Sequence, residues 1–105
     1  MPNRAIKSTE KATQAAILKY LTAKRIFHYR NNSGAFKRDD GHFYRFGALG
    51  SPDIVCVFKG RYIGIECKDI KGKQNENQIA FQKALEDAGG LYLLVQSLDD
   101  ITKIL

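Results

Sequence analysis

The alternation of apolar and polar positions is easiest to assign between Asp53 and Lys68, which reads Asp-Ile-Val-Cys-Val-Phe-Lys-Gly-Arg-Tyr-Ile-Gly-Ile-Glu-Cys-Lys. It predicts two short strands joined by a tight turn, the first opening after a Gly50-Ser51-Pro52 breaker. On the second strand Ile63, Ile65 and Cys67 take one face, and Gly64, Glu66 and Lys68 the other. With Lys59-Gly60 as a two-residue hairpin loop, Phe58 pairs with Arg61 and Asp53 stands opposite Glu66. A three-residue loop would instead send Asp53 to the wrong face.

The remaining chain divides into elements around this hairpin. Ser8-Thr9 caps a helix from Glu10 to about Leu21, with Ile17, Leu18 and Leu21 as its apolar stripe. Glu10 and Gln14 extend that stripe towards the N-terminus at helical spacing, so a carboxylate is expected on the core-facing side of the first turn. Ile26–Tyr29 reads as a strand. Phe36-Lys37-Arg38 and His42-Phe43-Tyr44-Arg45-Phe46 flank Asp39-Asp40-Gly41, a second hairpin signal. A helix is expected from about Asn75 to Ala88, stopped by Gly89-Gly90. Leu91–Gln96 is a near-continuous apolar strand, as expected when both faces are covered. Ser97-x-x-Asp100 begins a short terminal helix.

A chain of 105 residues with 44% hydrophobic content makes one folded domain with a single core. No apolar run approaches the roughly 18 residues that span a bilayer, and the basic N-terminus is not followed by the apolar stretch of a signal peptide. An intracellular protein without membrane partners is expected. Cys56 and Cys67 sit inside apolar strands, are not opposite each other, and read as buried free thiols. The net charge of +6 is unevenly spread. Residues 1–50 carry ten basic and three acidic side chains, whereas residues 51–105 carry seven and eight. A basic excess upstream of a carboxylate hairpin implies a polyanionic partner, with nucleic acid foremost and a merely solubilising surface as the alternative.

Directly opposed strand residues have Cβ atoms about 4.5–5.5 Å apart, and like charges there are destabilising. Asp53 facing Glu66, with Lys68 on the same face, is relieved if a divalent cation such as Mg²⁺ lies between the carboxylates. Glu10 and Gln78 each admit two readings. An acid in a first turn favours the helix dipole wherever it points, and Asn75-x-x-Gln78 is close to a capping box. Basic and aromatic residues interleave from Phe36 to Phe46. There Lys37, Arg38 and Arg45 are candidate phosphate contacts, although solvated charges on an amphipathic hairpin would look the same. His28 and His42 are isolated, each read as a surface or partly buried side chain.

The ordered set of Gly-Ser-Pro-Asp ending at Asp53, Glu66-Cys67-Lys68 and a downstream helix bearing Gln78 resembles the PD-(D/E)XK nuclease superfamily. With Glu10 and Gln14 on the first helix, Gly72, and Gly89-Gly90 before the last strand, it is similar more narrowly to the virus-type replication-repair nuclease (VRR-NUC) domain. The resemblance covers nearly the whole chain. It implies an α/β fold: a single restriction-endonuclease-like domain over residues 1–105, with a central mixed sheet flanked by helices and an αβββαβ core. It also implies that Asp53 and Glu66 ligate Mg²⁺ or Mn²⁺, with the Cys67 carbonyl completing the shell and Glu10 as a second-metal or supporting carboxylate. Lys68 would orient or activate the attacking water, and Gln78 would position phosphate or water.

The activity so implied is metal-dependent endonucleolytic hydrolysis of DNA. So small a chain has little surface for reading sequence, and a homodimer acting on branched or structured DNA, four-way junctions included, is the expected form. Lys71 and Lys73, in the loop after the Glu-x-Lys strand, join the candidate DNA contacts. A bacterial, viral or phage source is suggested on the same footing. The competing readings are a Holliday junction-resolving or restriction-like nuclease of the same superfamily, a DNA-binding module with an idle site, and a simple Glu66–Lys68 salt bridge on an exposed strand.

Overall fold

The computed structural model describes residues 9–31, 34–69 and 71–105, leaving the side chains of Ala35, Arg45 and Phe46 aside. The chain forms a mixed α/β fold. Its elements are α1 (Glu10–Ala23), β1 (Phe27–Arg30), β2 (Gly34–Lys37), β3 (Phe43–Phe46), β4 (Ile54–Phe58), β5 (Arg61–Cys67), α2 (Glu76–Asp87), β6 (Leu91–Val95) and α3 (Asp99–Thr102). Four strands make the central sheet in the order β1-β4-β5-β6, while β2 and β3 pair with each other as a separate hairpin. Only β5 and β6 run parallel, across the α2 connection.

The Lys59-Gly60 turn has the two-residue form. Both residues have positive φ, 53° and 76°, the combination of a type I′ turn, whose twist suits a hairpin. Phe58 therefore pairs with Arg61, and the ladder runs back to Ile54 opposite Ile65. Continued by one residue it places Asp53 opposite Glu66, the register expected from the sequence.

Both faces are covered around β5, while Phe27, Tyr29 and Val57 leave the β1 side of the second face open. Ile63, Ile65 and Cys67 lie with Ile54, Cys56 and Val95 against Ile17 and Leu21 of α1 and Ile101 of α3, forming the main core. The residues of opposite parity meet α2: Phe81 packs on Tyr92, and Gln78 bonds Glu66. Burial at Glu66 counts against the competing reading of a Glu66–Lys68 salt bridge on an exposed strand. The stripe of α1 is corrected, because Thr13, Ile17 and Leu21 are its buried positions while Glu10 is exposed. Glu10 shares the azimuth of Ile17, but as the first residue of the helix it stands at the open end. The N-cap is Thr9, whose hydroxyl accepts from the Ala12 N–H; Ser8 lies outside the described residues.

The terminal helix α3 forms, but its N-cap is Leu98 rather than Ser97, with Asp100 Oδ2 accepting the Gln96 and Ser97 N–H groups; the following expectations hold. The Asp39-Asp40-Gly41 turn joins β2 and β3 with Arg38 N–H donating to the His42 carbonyl. At the end of α2, Gly89 and Gly90 donate to the carbonyls of Glu86 and Leu85, the paired bonds of a Schellman stop. Cys56 and Cys67 are buried and free. His28 is half-buried and tied by Nδ1 to the Ile26 carbonyl at 2.7 Å, which requires that nitrogen to carry the proton; His42 is exposed beside Asp40. No helix among the described residues is long and apolar enough to cross a membrane.

Candidate functional site

The site forms where the C-terminal end of β5 meets the loop entering β4 and the first turn of α2. Three local features bring these elements together. The loop residue Gly50 has φ +80°, and a Cβ there would lie 2.2 Å from the Asn77 carbonyl oxygen in α2. Pro52 fills the space above Gly64, where a Cβ would meet its ring at 2.5 Å. Asn31, at the end of β1, binds the loop from the other side. Its amide Nδ2 donates to Ser51 Oγ at 2.9 Å and to the Pro52 carbonyl at 2.8 Å, and its backbone N–H donates to the Asp53 carbonyl at 2.7 Å. Replacing Gly50 by alanine is accordingly expected to destabilise the fold by about 2 kcal/mol or more, from left-handed strain and the clash together. Thermal unfolding of Gly50→Ala checks this.

Asp53 is held by one oxygen. Its Oδ2 accepts the Cys67 N–H at 2.9 Å, across the extended register. Burial raises its pKa, opposed by that N–H; Glu10 raises it further, and Lys68 and Arg30 act against the rise. Glu66 is more deeply placed, 5% exposed. Its Oε2 accepts from Gln78 Nε2 at 2.9 Å and lies 3.6 Å from Lys68 Nζ. Its Oε1 is buried without a hydrogen-bond partner among the described residues. Burial first, then the negative charge of Asp53, push the Glu66 carboxyl up to about 7, against the pull of Lys68. A buried carboxylate oxygen without a donor costs free energy, and a second carboxylate beside it adds repulsion.

Gln78 forms the capping box that its spacing predicts. Its Oε1 accepts the Asn75 N–H and its own N–H donates to Asn75 Oδ1, closing a full capping box. The amide nitrogen that remains is therefore fixed in direction, and it points to Glu66. Lys68 is mostly buried, and the following loop folds back on its stem, so that a Cβ at Gly72 would sit 3.0 Å from the Lys68 Cβ.

The structure thus joins Asp53, Glu66, Lys68 and Gln78, together with the Cys67 main chain. Glu10 is close enough for its charge to be felt at Asp53 and Glu66, though among the described residues no group of three His, Cys, Asp or Glu side chains converges as a metal cage. Lys71 and Lys73 are exposed in the loop beyond Lys68. Lys37 and Arg38 are exposed on the separate β2–β3 hairpin; the Arg45 side chain lies outside the described part of the structure.

Sequence reasoning missed Asn31 and Tyr92. Nothing in Asn31-Asn32-Ser33-Gly34 distinguishes a brace from an ordinary loop. Tyr92 did carry a signal, since a tyrosine in a strand covered on both faces must bury its hydroxyl. That hydroxyl lies beside Gln74 without a hydrogen bond of regular geometry, and burial, then the charge of Glu66, push its pKa up to about 12. An open cavity of about 350 Å³ lined by Gly60, Arg61, Tyr62, Leu85 and Ala88 to Gly90 lies at the other end of β5. Its lining holds no carboxylate.

The sequence matches no protein-family model, and no curated protein sequence matches it.

Proposed function

We propose that this chain is a metal-dependent endodeoxyribonuclease of the PD-(D/E)XK type, resembling VRR-NUC domains. The observation that carries this reading is the buried, unpartnered Glu66 Oε1 beside Asp53, with Lys68 and Gln78 converging on the other oxygen of Glu66. The order of elements around the central sheet supports it. Without the β2–β3 insertion the order is helix, three strands, helix, strand, followed by the short α3; the first six elements are those the resemblance implies.

The donor set suits a hard cation. Glu66 Oε1, the Asp53 oxygen not used by Cys67 N–H, and the Cys67 carbonyl would hold Mg²⁺ or Mn²⁺. Two carboxylates and a carbonyl leave room for waters, which Mg²⁺ in particular retains. When bound, the cation supplies acidification of a water and polarisation of a phosphoryl oxygen.

The chain's own groups do the positioning. Gln78 fixes Glu66 through Oε2 and so directs Oε1 into the site. The Cys67 N–H fixes Asp53 in the same way. Lys68, held beside Glu66 by its covered stem, donates to the attacking water or to a phosphate oxygen and offsets the carboxylate charge. Glu10 adds negative charge at the rim, which favours cation uptake. Lys71 and Lys73 would contact phosphates flanking the scissile one. The small surface of one chain favours recognition of DNA shape over sequence, by a homodimer on branched DNA.

Incubation of supercoiled plasmid and a four-way junction with Mn²⁺ tests the reading. Cutting is expected with the cation and none in EDTA. Lys68→Ala is expected to cut about 10²-fold more slowly, in the range of a lost proton-transfer or charge-stabilising group. Binding of DNA with no metal-dependent cutting would leave a binding module and remove the nuclease. Sedimentation of the free chain reports whether it pairs.

A further inference from the structure

The β2–β3 hairpin has a composition that its own domain does not explain. Its register sets Phe36 opposite Tyr44 and Lys37 opposite Phe43, and directly opposed residues share a face. On one face Phe36 and Tyr44 stack with centroids 5.9 Å apart, and the Arg38 guanidinium lies 4.9 Å from the centre of the Tyr44 ring. On the other, Lys37 Nζ lies 6.0 Å from the centre of the Phe43 ring. An amphipathic hairpin resting on a core buries its apolar face and shows water its polar one. Here each face carries a cation beside an aromatic ring, and Phe43 is 71% and Phe36 52% exposed. Large exposed rings on both sides of one ribbon are a binding surface rather than core.

Alternating cations and ring faces match one partner chemistry closely. A single strand of nucleic acid offers phosphates at regular intervals and the flat faces of unstacked bases. In a blunt duplex the base faces are already stacked on each other, so only phosphates and base edges remain to be contacted. The acidic tip, Asp39 and Asp40, with Asp40 turned onto His42, favours passage of the strand along the sides of the ribbon.

We propose that the β2–β3 hairpin binds unpaired nucleotides of DNA, stacking bases on Phe43 and on the Phe36–Tyr44 pair, with Lys37 and Arg38 on the phosphates. It deepens the nuclease reading and rests on it for the partner's being DNA: the unpaired segment beside a branch is what the hairpin recognises.

The test is equilibrium binding of the full chain, in EDTA, to fluorescent oligo-dT, a forked duplex with unpaired arms, and a blunt duplex. Wild type is expected to prefer the first two. Phe43→Ala is expected to weaken them about tenfold and Phe43→Ala/Tyr44→Ala about 100-fold, as loss of base stacking implies, with the blunt duplex changed less than about twofold. Phe43→Tyr retains the ring and is expected to bind as wild type. Lys37→Ala should weaken all three substrates alike and lower the salt slope by about one. Equal loss by Phe43→Ala on the blunt duplex, no loss on any substrate, or a wild type that ignores the unpaired arms overturns the proposal. Melting curves of each variant confirm that the fold is intact. Because no cutting is needed, failure of plasmid cleavage would remove the nuclease and leave this result standing, and the converse holds equally.

Discussion

Replacing Asp53 by asparagine is expected to reduce Mn²⁺-dependent cleavage by about 10³-fold or more while leaving the fold at least as stable as wild type. The two halves of that expectation have separate causes. Asparagine retains a side-chain oxygen for the Cys67 N–H, now bonded to Asp53 Oδ2, so no buried donor is orphaned. It removes a negative charge that raises the pKa of Glu66, and relief of that repulsion favours the folded state. It also removes the formal charge of one proposed cation ligand, and loss of charge stabilisation of this kind costs on the order of 10²–10³ or more in rate. Asp53→Ala should be equally inactive but less stable by about 1–3 kcal/mol, since the Cys67 N–H is then left without its partner. Plasmid cleavage alongside thermal unfolding separates the two variants. Cutting by Asp53→Asn at the wild-type rate would falsify the assignment of this carboxylate.

Glu66 makes the largest prediction on stability. Its carboxyl stands at about 7 in the folded chain against an ordinary 4.5, so the folded state holds the proton more tightly than the unfolded state. Between those values the native protein binds more protons, and stability therefore falls as pH rises. Below about pH 4.5 both states are protonated and no cost is present; above about pH 7 the cost is complete. A shift of this size corresponds to roughly 3 kcal/mol, or on the order of 10 °C in melting temperature for a domain of this length. Melting in EDTA from pH 5 to 8 should show the fall, and Glu66→Gln should flatten it. At pH 8, Mn²⁺ is expected to raise the wild-type melting temperature as a ligand of the folded state, with little effect on Glu66→Gln. A wild-type curve independent of pH, or a Mn²⁺ response retained by Glu66→Gln, would show that Glu66 is not the buried group that takes the cation.

Much of the carboxylate arrangement was legible because it depends on counting. Period-two alternation and a Lys59-Gly60 turn, whose second residue takes positive φ at no steric cost, set the register of two adjacent strands. Register alone put Asp53 opposite Glu66. The capping box at Asn75 and Gln78 was legible for a similar reason, since it spans a single helical turn. What counting could not resolve was which role Gln78 plays. The structure gives it the cap and, because a primary amide has a donor besides the oxygen the cap uses, a bond to Glu66. Glu10 shows the limit from the other side. Helical spacing gave its azimuth correctly, yet depth depends on where the helix ends relative to the core, and Glu10 is exposed.

The sequence by itself determined the mixed α/β class, the element order, the central register, the two free buried thiols and the identity of the residues that meet at the end of β5. These rest on local periodicity, turn chemistry and caps, which act over a few residues. Only the tertiary structure decided that Glu66 is buried with one oxygen unpartnered among the described residues, that Asn31, Gly50 and Gly64 dock the Asp53 loop between β1, β5 and α2, and that the aromatic hairpin forms a separate sheet with rings exposed on both faces. Each of those depends on which distant segment covers a surface. Burial is a property of the whole fold, and it is burial that turns two opposed carboxylates from a surface detail into a candidate site.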